Sequence, residues 1–289
     1  MKLFYRSEQS ARNASAFSPS ANKPRLVVAD WLRQGLISPC EILSFEPVTR
    51  ADLKLAHDAD FVDGVLDLER VNGFNNCDAE VAASLPYTSG SLLAAARHAL
   101  ATGATVCSPT SGFHHAHHDE PEGFCTFNGL MVTALKLKQE GRVSSVAIID
   151  CDVHYGNGTD DIIRHQGIDW IRHHTMGRYF DCRADVGRDG ERFFKWLDRA
   201  IADCRDADLV IYQAGADPHV DDPLGGVLTE LEMVQRDHRV FAAFRDCPLV
   251  WNLAGGYQRD ANGGTGIGPV LKLHRNTLTA LQAVELGHP

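Results

Sequence analysis

No apolar run in the sequence approaches the roughly 20 residues that a membrane-spanning helix needs, and its opening, MKLFYRSEQSARNAS, turns polar too early for a secretory signal. Paired CxxC cysteines are also missing. The eight cysteines stand singly at 40, 77, 107, 125, 151, 182, 204 and 247, which predicts reduced thiols rather than a disulfide framework. These absences together predict a cytoplasmic protein. Basic charge is scarce too: 28 Lys and Arg against 38 Asp and Glu give a formal net charge of -10. Such a chain has no electrostatic grip on nucleic acid or an anionic membrane, and it would attract cationic substrates if its charge did more than keep it soluble. Without an internal repeat, low-complexity block or linker, residues 1–289 read as one domain.

What is present is a globular composition, 44% hydrophobic and 23% charged, enough to build a sizeable core. Short β-branched runs, each followed by a loop rich in Gly, Asp or His and then by helical spacing, predict a parallel α/β sheet. ATVCS (104–108), VAIID (146–150), LVIYQ (209–213) and LVWNL (249–253) are the strong strands; EILSF (41–45) and DWIRH (169–173) are weaker. Helices are predicted over 50–68 with Thr49 as cap, over 88–103 and 127–142 with terminal glycines, over 191–206, and at the C-terminus.

Each strong strand runs into a polar cluster, and in such sheets ligands bind beyond the carboxyl ends of the strands. After 146–150 comes DCDVHYGNG, where alternation would put Asp150, Asp152 and His154 on one face, with Cys151 opposite as a small buried hydrophobe. Two carboxylates so close call for a divalent cation. Asp217, after 209–213, adds a third donor and leaves positions open for water and substrate; the mix of one imidazole and two carboxylates suits zinc, with iron(II) or another first-row ion compatible. After 104–108 comes SGFHHAHHDEPEGFC. Its adjacent His114 and His115 cannot easily share a metal but can move protons beside one. His117 and His118 read as surface residues or makers of a structural hydrogen bond, and Glu120 and Glu122 as solvating the loop. Tyr257, beyond the close-approaching turn Gly255-Gly256, could donate to a developing oxyanion.

GFHHA, EGFC, IIDCDVHYGNGT, AGADPHVDDPLGG and NLAGGY, in that order, resemble the histone deacetylase superfamily, which includes acetylpolyamine amidohydrolases; the resemblance runs from about residue 50 to the C-terminus. It implies the arginase/deacetylase α/β fold, a mostly parallel sheet of about eight strands with helices on both faces. It makes Asp152, His154 and Asp217 the zinc ligands, His115 the general base and His114 its electrostatic neighbour. Asp150 then stands behind His114, and Asn157 pairs with His115, as in class II enzymes. Tyr257 polarises the carbonyl, while Gly123, Phe124 and Cys125 wall the acyl channel. A second aromatic wall would come from Tyr179 or Phe180. A structural potassium ion is implied on backbone carbonyls of the segment of Asp150, Asp152 and His154, although WIRHHTMGRYF lacks the serine that helps hold it. The aspartate that holds the substrate backbone in many relatives would fall at Asn76 or Asp78, and the N-terminus predicts small rim loops. The implied reaction is hydrolysis of an N-alkyl amide, acetyl-lysine in proteins or else an acetylated polyamine or another small amide, with a longer acyl chain also open. The rivals are a two-metal ureohydrolase and a non-catalytic acyl-ligand sensor.

Overall fold

The computed structural model describes residues 1–12, 15, 17–261 and 264–287. Its strands are β1 (Lys2–Phe4), β2 (Ile42–Leu43), β3 (Thr105–Cys107), β4 (Val146–Asp150), β5 (Ile171–Thr175), β6 (Leu209–Gln213) and β7 (Leu249–Asn252). The helices are α1 (Lys23–Arg33), α2 (Arg50–Leu53), α3 (Ala59–Leu66), α4 (Ala79–Thr102), α5 (Gly129–Gln139), α6 (Asn157–His165), α7 (Glu191–Cys204), α8 (Glu230–Ala243) and α9 (Gly268–Glu285). Among the described residues the strands form one sheet, every pair parallel, in the order β2-β1-β3-β7-β6-β4-β5. Seven strands thus stand where about eight were expected. No described helix is long and apolar enough to cross a membrane.

Because side chains alternate along a strand, each central strand feeds two cores. Ala147, Ile149, Val210, Tyr212, Leu249 and Trp251 pack with α1, α7, α8 and α9 on one face. Val146, Ile148, Leu209, Ile211 and Val250 pack with α3, α4 and α5 on the other. Burial on both faces explains why these strands read as continuous apolar runs.

Three differences from the sequence reading have local causes. The helix expected over 50–68 is broken, because Asp58 accepts from the N–H groups of Asp60 and Phe61 and starts a new helix. That break drives His57 into the core, where Nδ1 donates to His117 O (2.8 Å) and Nε2 accepts from Asn128 N (2.8 Å). α4 begins at Ala79 rather than near 88, because Asp78 caps it and the helix runs through Pro86 at the loss of one N–H. No strand or helix is predicted before residue 41, yet β1 joins the sheet between β2 and β3, and α1 packs against α9.

Candidate metal and proton-transfer site

Parallel strands bring the carboxyl ends of β3, β4, β6 and β7 to one edge of the sheet. Asp150 is the last residue of β4, and the chain then bends instead of continuing as strand. The expected alternation is therefore not what gathers Asp150, Asp152 and His154. Carboxylates capturing backbone N–H groups do it: Asp150 Oδ1 accepts from Asp152 N (3.1 Å), and Asp152 Oδ1 accepts from His154 N (3.0 Å). Cys151 does point away, into the core, with its thiol pushed well up by burial.

His154 Nδ1 lies 3.0 Å from Asp152 Oδ1 and 3.1 Å from Asp217 Oδ2, and one donor atom from each of the three residues falls within 4.8 Å of the others. On its other side Nε2 donates to Leu224 O (2.9 Å). That bond spends the proton of a neutral ring, so neutral His154 would aim a lone pair at two buried carboxylates. The arrangement is stable only with positive charge between them, from a second ring proton or from a metal. Burial pulls the His154 pKa down, but Asp152 and Asp217 outweigh it and hold it up at about 11. Burial, and then the charge of Asp152, push Asp217 up to about 8. The donor set fits a divalent ion. Gly255 closes the far side: its N–H donates to Asp152 Oδ2 (2.7 Å), and a Cβ there would stand 2.1 Å from Asp217 Oδ2. Lys23, buried in the first turn of α1, fixes this turn by donating to Ala254 O (2.5 Å) and Gly255 O (2.9 Å).

The histidine pair stands beside the trio, rings 4.1 Å apart. His114 Nδ1 donates to Asp150 Oδ2 at 2.7 Å; burial opposes its charge, but Asp150 and Asp152 raise its pKa to about 9. His115 is half-buried and donates from Nδ1 to the neutral Asn157 Oδ1 (2.6 Å), so burial, then the charge of His114, lower it to about 4. Asn157 Nδ2 in turn donates to Glu122 Oε2 (2.6 Å), which also accepts from His117 Nε2 (2.9 Å). Glu122 therefore holds the amide behind His115, where the sequence reading had it merely solvated, and His117 makes a structural hydrogen bond to Glu122. His118 lies apart, stacked on His165 and bonded to Ala56 O.

Tyr257 follows Gly256 and sets its ring 6.3 Å from that of His154. Its hydroxyl makes no hydrogen bond among the described residues, and burial, then Asp152 and Asp217, keep the phenol protonated. Phe124 packs 5.8 Å from the Tyr257 ring, and Gly123 beside it leaves room for His115, whose Cδ2 would lie 2.5 Å from a Cβ. Cys125 is buried beneath, its thiol pushed up to about 12 by burial. The aromatic partner of this wall was not foreseen: Phe17 stacks on both Phe124 and Tyr257, 6.3 Å from each, so the N-terminal segment builds part of the rim. Tyr179 is exposed against Trp196. Phe180 is buried against Phe193 and Trp196 and borders the cleft of His115 and His154. Asp78 caps α4, and Asn76 Oδ1 accepts from Asn72 Nδ2 and Asp78 N, which commits both to local structure.

A family model described as "Histone deacetylase domain" matches residues 19–180. The match starts well before residue 50, where the sequence resemblance was placed, and takes in α1. An uncharacterized protein of Picosynechococcus is 27% identical over 263 residues, covering 82% of this chain and 86% of that protein. Histone deacetylase 2 of Arabidopsis thaliana is 29% identical over 168 residues, covering 52% of this chain; the matched stretch spans 43% of that protein. An acetylpolyamine aminohydrolase from Burkholderia pseudomallei superposes with a TM-score of 0.73 at 18% identity, covering 98% of this chain and 99% of its own.

Proposed function

We propose, from the premise that the chain belongs to the histone deacetylase family and is a hydrolytic deacetylase, that it removes an acetyl group from an N-alkyl amide such as acetyl-lysine in proteins, with zinc as its metal. The observation that carries this is His154 Nδ1 facing two buried carboxylates while Nε2 is spent on Leu224 O. Asp152, His154 and Asp217 would hold the zinc ion, which would supply Lewis acidity toward the acyl carbonyl and a water. The residues do the rest. His115, with Nδ1 donating to Asn157, keeps a free Nε2 lone pair and takes the proton of the attacking water. His114, held charged by Asp150, stabilises the negative charge that develops and favours proton return to the leaving amine. Tyr257 donates its unspent hydroxyl to the carbonyl oxygen. Phe124 and Phe17 flank the approach of the alkyl chain. Retention of every one of these groups supports an enzyme rather than an acyl-ligand sensor.

The test is hydrolysis by the zinc-loaded protein of acetyl-lysine peptides, acetylputrescine and acetylspermidine. The proposal expects the highest kcat/KM on the peptides. Preference for the polyamines would move the substrate to a small amine, and inactivity on all three would overturn the acetyl-amide reading.

A further inference from the structure

Around Asp150, where the resemblance implies a potassium ion, the side-chain oxygens are already engaged. Both carboxylate oxygens of Asp150 are engaged: Oδ1 accepts from Gln213 Nε2 (3.0 Å) and Asp152 N (3.1 Å), and Oδ2 accepts from His114 Nδ1 (2.7 Å). Thr175, paired with Asp150 across β4 and β5, has the only hydroxyl in WIRHHTMGRYF besides that of Tyr179, and its Oγ1 already accepts from Gly156 N (3.1 Å). The backbone of Gly177 covers His154, where a Cβ would stand 2.5 Å from the carbonyl oxygen.

A side chain occupies the place beside Asp150 instead. His173, on β5, has a side chain 2% exposed and donates from Nδ1 to Asp160 Oδ1 at 2.8 Å. Its Nε2 has no hydrogen-bond partner and lies 3.7 Å from Asp150 Oδ2, an ion-pair distance. Gly156 closes over the ring, with room for no Cβ: one would stand 2.9 Å from His173 Cε1 and 2.7 Å from Asp150 Oδ2. Asp160 is itself held by the Tyr155 hydroxyl and Arg178. A buried imidazole set between two carboxylates, with both nitrogens aimed at them, has the geometry of a doubly protonated ring. A neutral ring would leave one carboxylate facing a lone pair.

We infer that His173 is a built-in cation: a positioning residue whose imidazolium bridges Asp150 and Asp160, holds Asp150 toward His114, and makes the protein independent of potassium. The charges facing the ring agree. Burial alone would lower its pKa, yet Asp150 and Asp160 raise it above the ordinary histidine value. A potassium ion at the same carboxylate would meet a fixed positive charge.

The cation replacement is read in metal-free protein, so it can fail or hold independently of the deacetylase reading, on which only the catalytic consequence rests. Thermal unfolding in chelator at one ionic strength, in potassium, sodium or tetramethylammonium chloride, is expected to give midpoints within about 1 °C of each other; a rise specific to potassium of roughly 3 °C or more overturns the proposal. Nitrogen NMR of the same sample should show His173 doubly protonated at pH 7.5, and a neutral tautomer there overturns it equally. In the zinc-loaded enzyme His173→Gln should lower kcat on the order of 10-fold at unchanged KM, whereas wild-type kcat in a folded variant would contradict the positioning role. The first two readouts need no variant to fold.

Discussion

Two buried charge clusters lie back to back across the ends of β4 and β6, and they differ in charge balance. Behind the sheet, Arg236 on α8 is fully buried and donates from Nη1 to Cys151 O (3.2 Å) and Gly215 O (2.8 Å) and from Nε to Asp237 Oδ1 (2.9 Å). Asp237 also accepts from the Tyr212 hydroxyl and from Thr277 Oγ1. One cation thus meets one anion, with neutral donors filling in. In front, Asp152 and Asp217 oppose each other across a single imidazole nitrogen. The rear cluster grips the backbone just before Asp152 and two residues before Asp217, so it holds the front donors in place while two carboxylates share one imidazole between them. Balance behind gives rigidity, and imbalance in front gives affinity for a cation.

The largest effect should come from breaking the front. Asp152→Ala removes a donor that helps supply several kcal/mol of transition-state stabilisation. At about 1.36 kcal/mol per tenfold, kcat/KM on the best acetylated substrate should fall about 10³-fold or more, with unfolding in chelator still cooperative. Breaking the rear should act on stability instead. Arg236→Met leaves Asp237 buried and unpaired, so denaturant unfolding should show a loss of about 3–5 kcal/mol, and Arg236→Met with Asp237→Leu should recover much of it. A loss under about 1 kcal/mol in the single variant would mean that the rear cluster braces nothing.

Tyr257→Phe touches neither cluster's charge. It should cost on the order of 10²-fold in kcat with metal content unchanged. The smallest effect sharpens the contrast through pH. Asp217 is held above its unfolded value, so in metal-free protein the folded state binds more protons than the unfolded state from roughly pH 4 to about 8. Its contribution to stability is present at the acid end of that window and is lost as pH rises through it. Asp217→Asn should flatten this fall in unfolding midpoint measured in chelator from pH 5 to 8; an unchanged slope would place the repulsion elsewhere.

Much of the front was legible in the sequence, because Asp150 ends, and Asp152, His154, Asp217 and Tyr257 follow, strong strands whose parallel pairing sends them to one edge. The pieces that support them were not. Lys23 comes from the first turn of a helix in a polar-looking N-terminus, and only the fold brings it 232 positions along to Gly255. Phe17 reaches Tyr257 in the same way. Glu122 carries no local signal separating it from Glu120 until α6 presents Asn157 to it. His173 looked like one more residue of a weak edge strand, because strand alternation says which side a residue faces but not that Asp160 waits there. Helix boundaries failed where polar residues redirected the chain, at Asp58 and Asp78.

The central claim is that one divalent ion sits on Asp152, His154 and Asp217. Elemental analysis of zinc-reconstituted protein after desalting tests it most directly, with wild type beside Asp217→Asn and His154→Ala. The account predicts one zinc per chain in the wild type and loss of bound metal in both variants. Two ions per chain, or one retained when either donor is gone, would contradict it.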